Sequence, residues 1–389
     1  MNDRLPAPRI RLAHPDVGDE EIEAVTRVLR TPVLTMGPET DAFEREVAAY
    51  HGTGHGVAFA NGTVALIAMF DSLGIGRGDE VIVPSLTFVS TVTSLVYAGA
   101  KPVFADVDPE TYNVDPSDVE RLIGRRTKAI LAVHYGGQPA DLAELAAIAA
   151  ESRIVLLEDA AEAHGATYRS RHVGTWGAAA MLSFTPTKNI TTGEGGMILT
   201  DFDDLAHRLC LVRNHGQTAP YEHSFLGCNW RITEMQAAMG RAQLAKLDDI
   251  LARKRDLAAE LDKLVAGIDG VEAPVVRPDR DHTHMLYTVR LATDAIGRDA
   301  VAHEMALRGI ETKVYFPPVH RQPIFARTPQ GAAAEARLAV TNDLAGRILS
   351  LPIHSRLTSA ELAEIAGALE ESMRVGQAAG VVSRSGSQS

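Results

Sequence analysis

The chain has 389 residues and a formal net charge of −12, from 38 basic and 50 acidic side chains. With 46% hydrophobic and 23% charged residues it has a globular composition, and its length exceeds one ordinary hydrophobic core, so we expect two domains. The acidic balance argues against a general nucleic-acid binder, and no apolar run approaches the ~20 residues of a membrane span.

Two further classes are disfavoured by the cysteine content and the N-terminus. Cys210 and Cys228 are too few for a disulfide framework or a zinc site, so we expect no metal centre. Residues 1–12 carry charges but no apolar core, which does not match a signal peptide. A cytoplasmic location without membrane attachment is therefore expected.

Strand-like and helix-like stretches alternate through the first half of the chain. The predicted strands are 56–60, 80–84, 101–106, 128–134 and 154–158, and the predicted helices are 64–73, 89–98, 117–126 and 141–152. Ser117 with Glu120 has the form of a capping box. This alternation predicts a parallel sheet covered on both faces, with ligands beyond the carboxyl ends of its strands, where Asp159, His134 and the residues after Pro84 fall.

The second half predicts a smaller α+β unit. Residues 233–265 keep helical spacing throughout, which predicts one long helix leading from the first domain into the second. Residues 286–291, 298–308 and 311–316 then predict strand, helix and strand, and Thr358 with Glu361 caps a last helix ending near Met373. We expect an N-terminal arm (1–12), a large domain (13–250), a small domain (251–375) and a disordered tail (376–389).

One lysine stands in an uncharged stretch between an apolar run and a glycine turn. Lys188 follows the run 178–184 and precedes Gly193, and upstream another apolar run ends at Asp159. Pyridoxal phosphate (PLP) requires a lysine that holds its aldehyde covalently and a carboxylate that keeps its ring nitrogen protonated. Lys188 and Asp159 are therefore the candidate catalytic residues of a PLP enzyme.

Four ordered motifs support this interpretation: 61–66, 158–166, 183–196 and 229–234. On these motifs the chain resembles the DegT/DnrJ/EryC1/StrS sugar aminotransferase family of PLP enzymes, from about residue 12 to about residue 357. The resemblance implies the α/β aspartate aminotransferase-like architecture (fold type I). In it a large domain with a mostly parallel mixed sheet binds the cofactor, beside a smaller α+β C-terminal domain. It also implies a homodimer with shared active sites.

Cofactor contacts follow from the resemblance, residue by residue. Gly62 and Thr63 would bind the phosphate at a helix start, although an ordinary helix N-cap uses the same residues. Ser183 matches a second phosphate-binding hydroxyl, and Phe88 matches the aromatic ring that stacks on the pyridine. Glu162 stands where many members have glutamine or histidine near the 3-hydroxyl of the cofactor.

Five residues are candidates for contacts across the subunit boundary or with substrate. Asn229 matches an asparagine that reaches the cofactor phosphate of the neighbouring subunit. His215 and His320 match positions near the substrate pocket, although a lone histidine is more often structural. Arg231 could bind an anion or pair with a surface acid. Lys313 replaces the arginine of several relatives and would act as a point charge towards carboxylate or phosphate.

The resemblance implies a transamination in two halves. L-glutamate gives its amino group to the cofactor, which passes it to a keto sugar joined to a nucleotide. Lysine at position 188, where related dehydratases carry histidine, favours the aminotransferase over a PLP-dependent sugar dehydratase, and a non-catalytic PLP-binding regulator is a further alternative. Residues 161–163 and 191–193 favour a GDP-linked 4-keto-6-deoxyhexose, with dTDP- or UDP-linked sugars, 3-keto sugars and cyclitol ketones left open.

Overall fold

A computed structural model describes residues 6–292 and 297–385, with side chains as far as residue 375. Its helices are α1 (Asp19–Leu29), α2 (Pro38–His51), α3 (Gly62–Ser72), α4 (Val89–Ala98), α5 (Pro116–Leu122), α6 (Leu142–Ser152), α7 (Asp203–Val212), α8 (Glu234–Ala245), α9 (Leu247–Val265), α10 (Arg298–Leu307), α11 (Pro323–Ala326), α12 (Pro329–Arg337), α13 (Ala339–Leu344) and α14 (Ser359–Ser385). Among these described helices, none is long and apolar enough to cross a membrane.

The strands are β1 (His55–Phe59), β2 (Glu80–Pro84), β3 (Lys101–Ala105), β4 (Thr127–Val133), β5 (Val155–Asp159), β6 (Thr167–Tyr168), β7 (Arg171–His172), β8 (Ala179–Ser183), β9 (Gly196–Thr200), β10 (Gln217–Ala219), β11 (Glu222–His223), β12 (Val271–Glu272), β13 (Arg280–Asp281), β14 (Tyr287–Leu291) and β15 (Ile348–Leu351). Seven of them form one large sheet in the order β1-β9-β8-β5-β4-β2-β3.

This large sheet is the mostly parallel mixed sheet expected from the sequence. Strands β8, β5, β4, β2 and β3 are parallel neighbours, whereas β9 pairs antiparallel with both β8 and β1. Every strand of the sheet except β9 therefore runs in one direction. Their carboxyl ends meet at one edge, which is where such sheets bind ligands.

One predicted helix start is wrong. Helix α5 begins at Pro116, and its N-cap is Asp115, whose side chain accepts a hydrogen bond from the backbone N–H of Ser117 (2.9 Å). Proline suits the first helical position because its missing N–H would be unsatisfied there. The expected capping box of Ser117 and Glu120 does not form, and the helix ends at Leu122.

The prediction of one long helix over 233–265 is also wrong, because the structure divides this segment into α8 and α9 at Lys246. The ammonium of Lys246 lies 2.7 Å from a carboxylate oxygen of Glu21 and donates to the carbonyl of Asp16 (3.0 Å). These tertiary contacts lie at the junction, and helical spacing does not reveal them.

The strand expected over 311–316 is reduced to a single bridge. Lys313 exchanges backbone hydrogen bonds with Ser350 (3.2 and 2.8 Å), and the two prolines that follow, Pro317 and Pro318, carry no backbone N–H for a ladder. The capping box of Thr358 and Glu361 is confirmed. Helix α14, however, continues beyond the expected end to Ser385, so the expected tail is helical that far.

Two hydrophobic clusters cover the two faces of the large sheet, and a third fills the small C-terminal unit. The third contains side chains from α9, β14, β15 and α14, and includes Ile10 of the N-terminal arm. Phe325, Ala334 and Leu338, expected in the small domain, pack instead with a cluster of the large sheet. The domain boundaries remain predictions.

Gly240 of α8 permits close packing against α2 and the loop that carries Lys188. A Cβ atom at this position would lie 2.6 Å from the ring of Phe43 and 2.8 Å from the methyl group of Thr192. We expect Gly240→Ala to lower the Tm, although alanine is favoured over glycine in a helix by about 1 kcal/mol. The matched control is Gly367→Ala in α14, where a Cβ meets nothing within 4 Å and should raise stability. A Gly240→Ala protein as stable as wild type in thermal unfolding would contradict this packing.

Candidate active site

Lys188 lies in the loop that joins the antiparallel strands β8 and β9. The hydroxyl of Thr191 donates to the carbonyl of Phe184 (2.8 Å) and accepts from the N–H of Gly193 (2.9 Å). Gly193 has φ +81°, a left-handed conformation that glycine adopts without strain. Thr191 and Gly193 thus shape the loop from within. The Lys188 side chain is only 10% exposed.

The ammonium of Lys188 donates a hydrogen bond to Glu162. Its Nζ lies 3.2 Å from Glu162 Oε1, while Oε2 of the same carboxylate accepts from the N–H of Gly136 (2.8 Å). Glu162 follows β5, and Gly136 follows β4, so three neighbouring strands contribute to one contact. Glu162, which the sequence predicts as a cofactor contact, therefore forms a hydrogen bond with the predicted catalytic lysine.

Asp159 is the last residue of β5 and is buried. Its Oδ2 accepts a hydrogen bond from the hydroxyl of Thr91 (2.7 Å), and its Oδ1 accepts from the N–H of Ala161 (3.2 Å). Burial raises the pKa of Asp159 above its ordinary value, although the Thr91 hydrogen bond and the charge of Lys188 act in the opposite direction. A cation placed beside this carboxylate would offset the cost of its burial.

The start of α3 and the end of β8 form a small cradle. Asn61 caps the helix by accepting from Val64 N (3.1 Å), which leaves the N–H groups of Gly62 and Thr63 to other acceptors. A Cβ on Gly62 would lie 3.3 Å from the Cβ of Ser183, so the two residues are adjacent. Backbone N–H groups at a helix N-terminus beside two hydroxyl groups suit a phosphate.

Phe88 precedes α4, beyond the end of β2, and its side chain is 53% exposed. Its ring centroid lies 5.6 Å from that of Phe316. An exposed aromatic face at this edge of the sheet is able to stack on a planar ligand.

His320 is placed differently from the expectation of a substrate contact. It is buried, with Nδ1 2.7 Å from the hydroxyl of Ser85 and Nε2 3.0 Å from a carboxylate oxygen of Glu335. Both ring nitrogens are therefore occupied by protein partners, and a direct contact with substrate has no support in this geometry. His320 instead fixes Ser85 at the end of β2.

The remaining candidates lie at the surface or near it. Asn229 is exposed and pairs through its backbone with Asn214, whose side-chain oxygen accepts from Arg231 Nη1 (2.5 Å). His215 is exposed on the same segment, with a positive φ of 59°. Lys313 is half exposed and lies 3.2 Å from a carboxylate oxygen of Glu311.

Sequence reasoning missed the residues that hold the catalytic groups in place. Thr91 bonds Asp159, Ser90 accepts a hydrogen bond from the hydroxyl of Thr63 (3.0 Å), and Gly136 fixes Glu162. Thr91 and Ser90 lie in the first turn of α4, directly beyond a strand end. That position is a signal that could have identified them, because helix starts at this edge face the ligand.

A lysine and a buried carboxylate beside an anion cradle, at the carboxyl edge of a mixed α/β sheet, are the groups that a PLP-dependent enzyme of fold type I requires. The chain belongs to the DegT/DnrJ/EryC1/StrS aminotransferase family, which matches residues 15–370. This confirms the family and the fold class expected from the sequence.

The relatives named for their activities act on different nucleotide sugars. The chain is 38% identical over 369 residues to GDP-perosamine synthase of Caulobacter vibrioides, covering 94% of this chain and 98% of the relative. It is also 38% identical to dTDP-3-amino-3,4,6-trideoxy-alpha-D-glucose transaminase of Streptomyces venezuelae, covering 97% and 100%. The X-ray structure of DesV from S. venezuelae superposes with a TM-score of 0.86 at 39% identity, covering 91% of this chain and 94% of DesV.

The raised pKa of Asp159 predicts how the stability of the cofactor-free protein depends on pH. Because folding raises this pKa, the folded state retains a proton that the unfolded state releases, so stability falls as pH rises through the folded pKa. We expect Asp159→Asn to raise the Tm, and by more at about pH 8 than at about pH 4. Thermal unfolding at both pH values tests this.

The matched control for that experiment is Asp279→Asn. The hydrogen bond from Arg280 lowers the pKa of Asp279, so this carboxylate stabilises the fold at neutral pH and loses that effect as pH falls through its folded pKa. Asp279→Asn should therefore lower the Tm at about pH 8. If Asp159→Asn also lowers the Tm at about pH 8, the buried carboxylate stabilises the fold and the prediction is wrong.

Proposed function

We propose that this aminotransferase transfers the amino group of L-glutamate to a nucleotide-linked keto sugar, of the GDP-4-keto-6-deoxyhexose class. The observation that supports it most is the contact of Lys188 with Glu162 beside the buried Asp159. The nucleotide and sugar are supported by the likeness to GDP-perosamine synthase and by residues 161–163 and 191–193, the two stretches on which the sequence favours that substrate class. The donor is supported by the family resemblance.

The residues present fit PLP. Asp159 is a buried carboxylate with a raised pKa, which a protonated ring nitrogen would lower. Gly62, Thr63 and Ser183 offer N–H and hydroxyl donors to a phosphate, and Phe88 offers an exposed ring face. When bound, PLP supplies a positively charged ring that withdraws electrons from the carbon that loses or gains a proton.

Lys188 would carry the proton in both halves of the reaction. Its Nζ accepts a proton from the carbon of the amino donor and returns one to the carbon that becomes aminated. Oε1 of Glu162 lies 3.2 Å from this nitrogen and holds it near the reacting carbon when it is protonated. The Gly136 N–H fixes Glu162, and the Thr91 hydroxyl fixes Asp159, so neither carboxylate needs to reorganise.

We further infer a homodimer in which Asn229 reaches the phosphate bound by the partner subunit. The segment around Asn229 is exposed and carries large apolar side chains, with Tyr221 94% and Leu226 91% exposed. Exposed apolar side chains that are grouped into a patch are typical of an interaction surface. Arg231 and His215, on this same segment, are proposed as substrate contacts, as is Lys313. The cytoplasmic location remains a prediction.

The reaction is tested with glutamate and a panel of GDP-, dTDP- and UDP-linked keto sugars, followed by mass spectrometry of the product. We expect amination of the GDP-linked 4-keto-6-deoxyhexose. Lys188→Ala should remain folded but lose both the visible absorbance of the covalent lysine–cofactor linkage and the aminated product, because the proton carrier and covalent anchor are removed. Turnover by Lys188→Ala at the wild-type rate would contradict the role of Lys188, and amination of another sugar alone would contradict the substrate.

The shared active site makes a separate prediction. Asn229→Ala should weaken PLP retention, because a donor to the phosphate is lost. Ser224→Ala is the matched control, since Ser224 lies on the same exposed segment and bonds only the nearby Thr218 hydroxyl among the described side chains (2.8 Å). Equilibrium dialysis measures PLP retention, and equal affinity of the two variants would count against the contact across the interface.

A further inference from the structure

A second lysine is buried directly behind the catalytic loop. Lys254 lies on α9 and is buried, and its Nζ donates a hydrogen bond to Oδ1 of Asn189 (2.7 Å). Asn189 is also buried and is the residue after Lys188. A small cavity between α9 and the loop is lined by both lysines. Lys254 therefore contacts the segment whose position decides where Lys188 lies.

The contact belongs to a closed set of hydrogen bonds. The Nδ2 of Asn189 donates to the carbonyl of Thr283 (3.3 Å), and the hydroxyl of Thr283 donates to the carbonyl of Glu162 (3.2 Å). The carboxylate of Glu162 in turn accepts from Lys188. The path runs from Lys254 through Asn189 and Thr283 to the residue that holds the catalytic ammonium.

The buried surroundings of Lys254 disfavour the charged form of its amine. Burial lowers the pKa of Lys254 to about 7. Burial also lowers the pKa values of His282, His284 and His354, and the charge of Lys254 lowers them further. The other titratable groups that line its cavity are His14, Asp16 and Lys188. Of these, Asp16 is already engaged by Ser355 (2.8 Å) and Arg356 (3.3 Å).

A lysine in this position does not stabilise the fold. Because its folded pKa is below the ordinary 10.5, the unfolded chain binds a proton that the folded chain lacks between the two values. The resulting cost is complete below pH 7 and disappears as pH rises towards 10.5. Methionine would fill a similar volume without that cost.

We propose that Lys254 is a positioning residue for Lys188, acting through the side chain of Asn189. It fixes the catalytic loop from behind and places a second amine near the reacting one. This role rests on the proposed function, because it concerns the lysine that carries the cofactor and the proton.

The test compares PLP-loaded wild type with Lys254→Met, Asn189→Ala and the double variant. We expect Lys254→Met to lower kcat by about tenfold or more with little change in KM for the donor, because a slightly displaced amine reacts slowly. The midpoint at which the visible absorbance of bound PLP changes with pH should shift, because displacement of the Lys188 amine changes the surroundings of the titrating nitrogen. The Tm should rise, and by more at about pH 7 than at about pH 9.5.

Lys263→Met is the matched control, since Lys263 is exposed on the same helix and should leave kcat and the absorbance titration unchanged. If Lys254 acts through Asn189, the double variant should lose no more activity than the worse single variant. Additive losses in kcat, or a Lys254→Met protein with wild-type kcat and titration, would overturn the proposal, whatever its Tm.

Two further outcomes are distinguishable. If Lys254→Met does not fold, Asn189→Ala, which retains Lys254, decides the question: wild-type kcat and absorbance in that variant would overturn the role. A wild-type protein that develops no absorbance with PLP would overturn the proposed function and this role together. If wild type binds PLP and the Lys254→Met protein has the same kcat and absorbance titration as wild type, only the role of Lys254 is overturned.

Discussion

The common direction of the strands in the large sheet is the constraint on which the site depends. Because every strand except β9 runs the same way, the carboxyl ends of β1, β2, β4, β5 and β8 reach one edge. Gly62, Phe88, Gly136, Asp159 and Ser183 lie at or just beyond these ends. Because β9 runs antiparallel to β8, the loop that joins them lies at this same edge. That loop carries Lys188 and brings it into contact with Glu162.

The site places several charges in a desolvated volume. Asp159 and Lys254 have pKa values displaced by burial in the directions that oppose their charge, and neither gains a full counter-ion among the described residues. Glu162 and Lys188 form an almost buried pair. Such groups stabilise a fold weakly or cost it free energy, and the hydrophobic clusters on both faces of the sheet compensate. Their arrangement is consistent with the ligand binding and proton transfer that we propose.

Two charged side chains that the sequence analysis singles out form ion pairs within the chain. The carboxylate of Glu162 contacts the ammonium of Lys188. The ammonium of Lys313 lies 3.2 Å from a carboxylate oxygen of Glu311. A point charge that is already paired binds a planar carboxylate less specifically than an arginine fork.

The sequence by itself determined the alternating strands and helices and the family, and it singled out Lys188 and Asp159 as candidates, because local spacing and contiguous motifs carry that information. Only the tertiary structure decided that Glu162 holds Lys188, that His320 has both nitrogens engaged, and that Lys254 lies behind the loop. Those partners are 15 to 235 positions apart in the chain. Hydrogen bonds between such distant residues depend on how strands and helices pack, and no local pattern of residues encodes them.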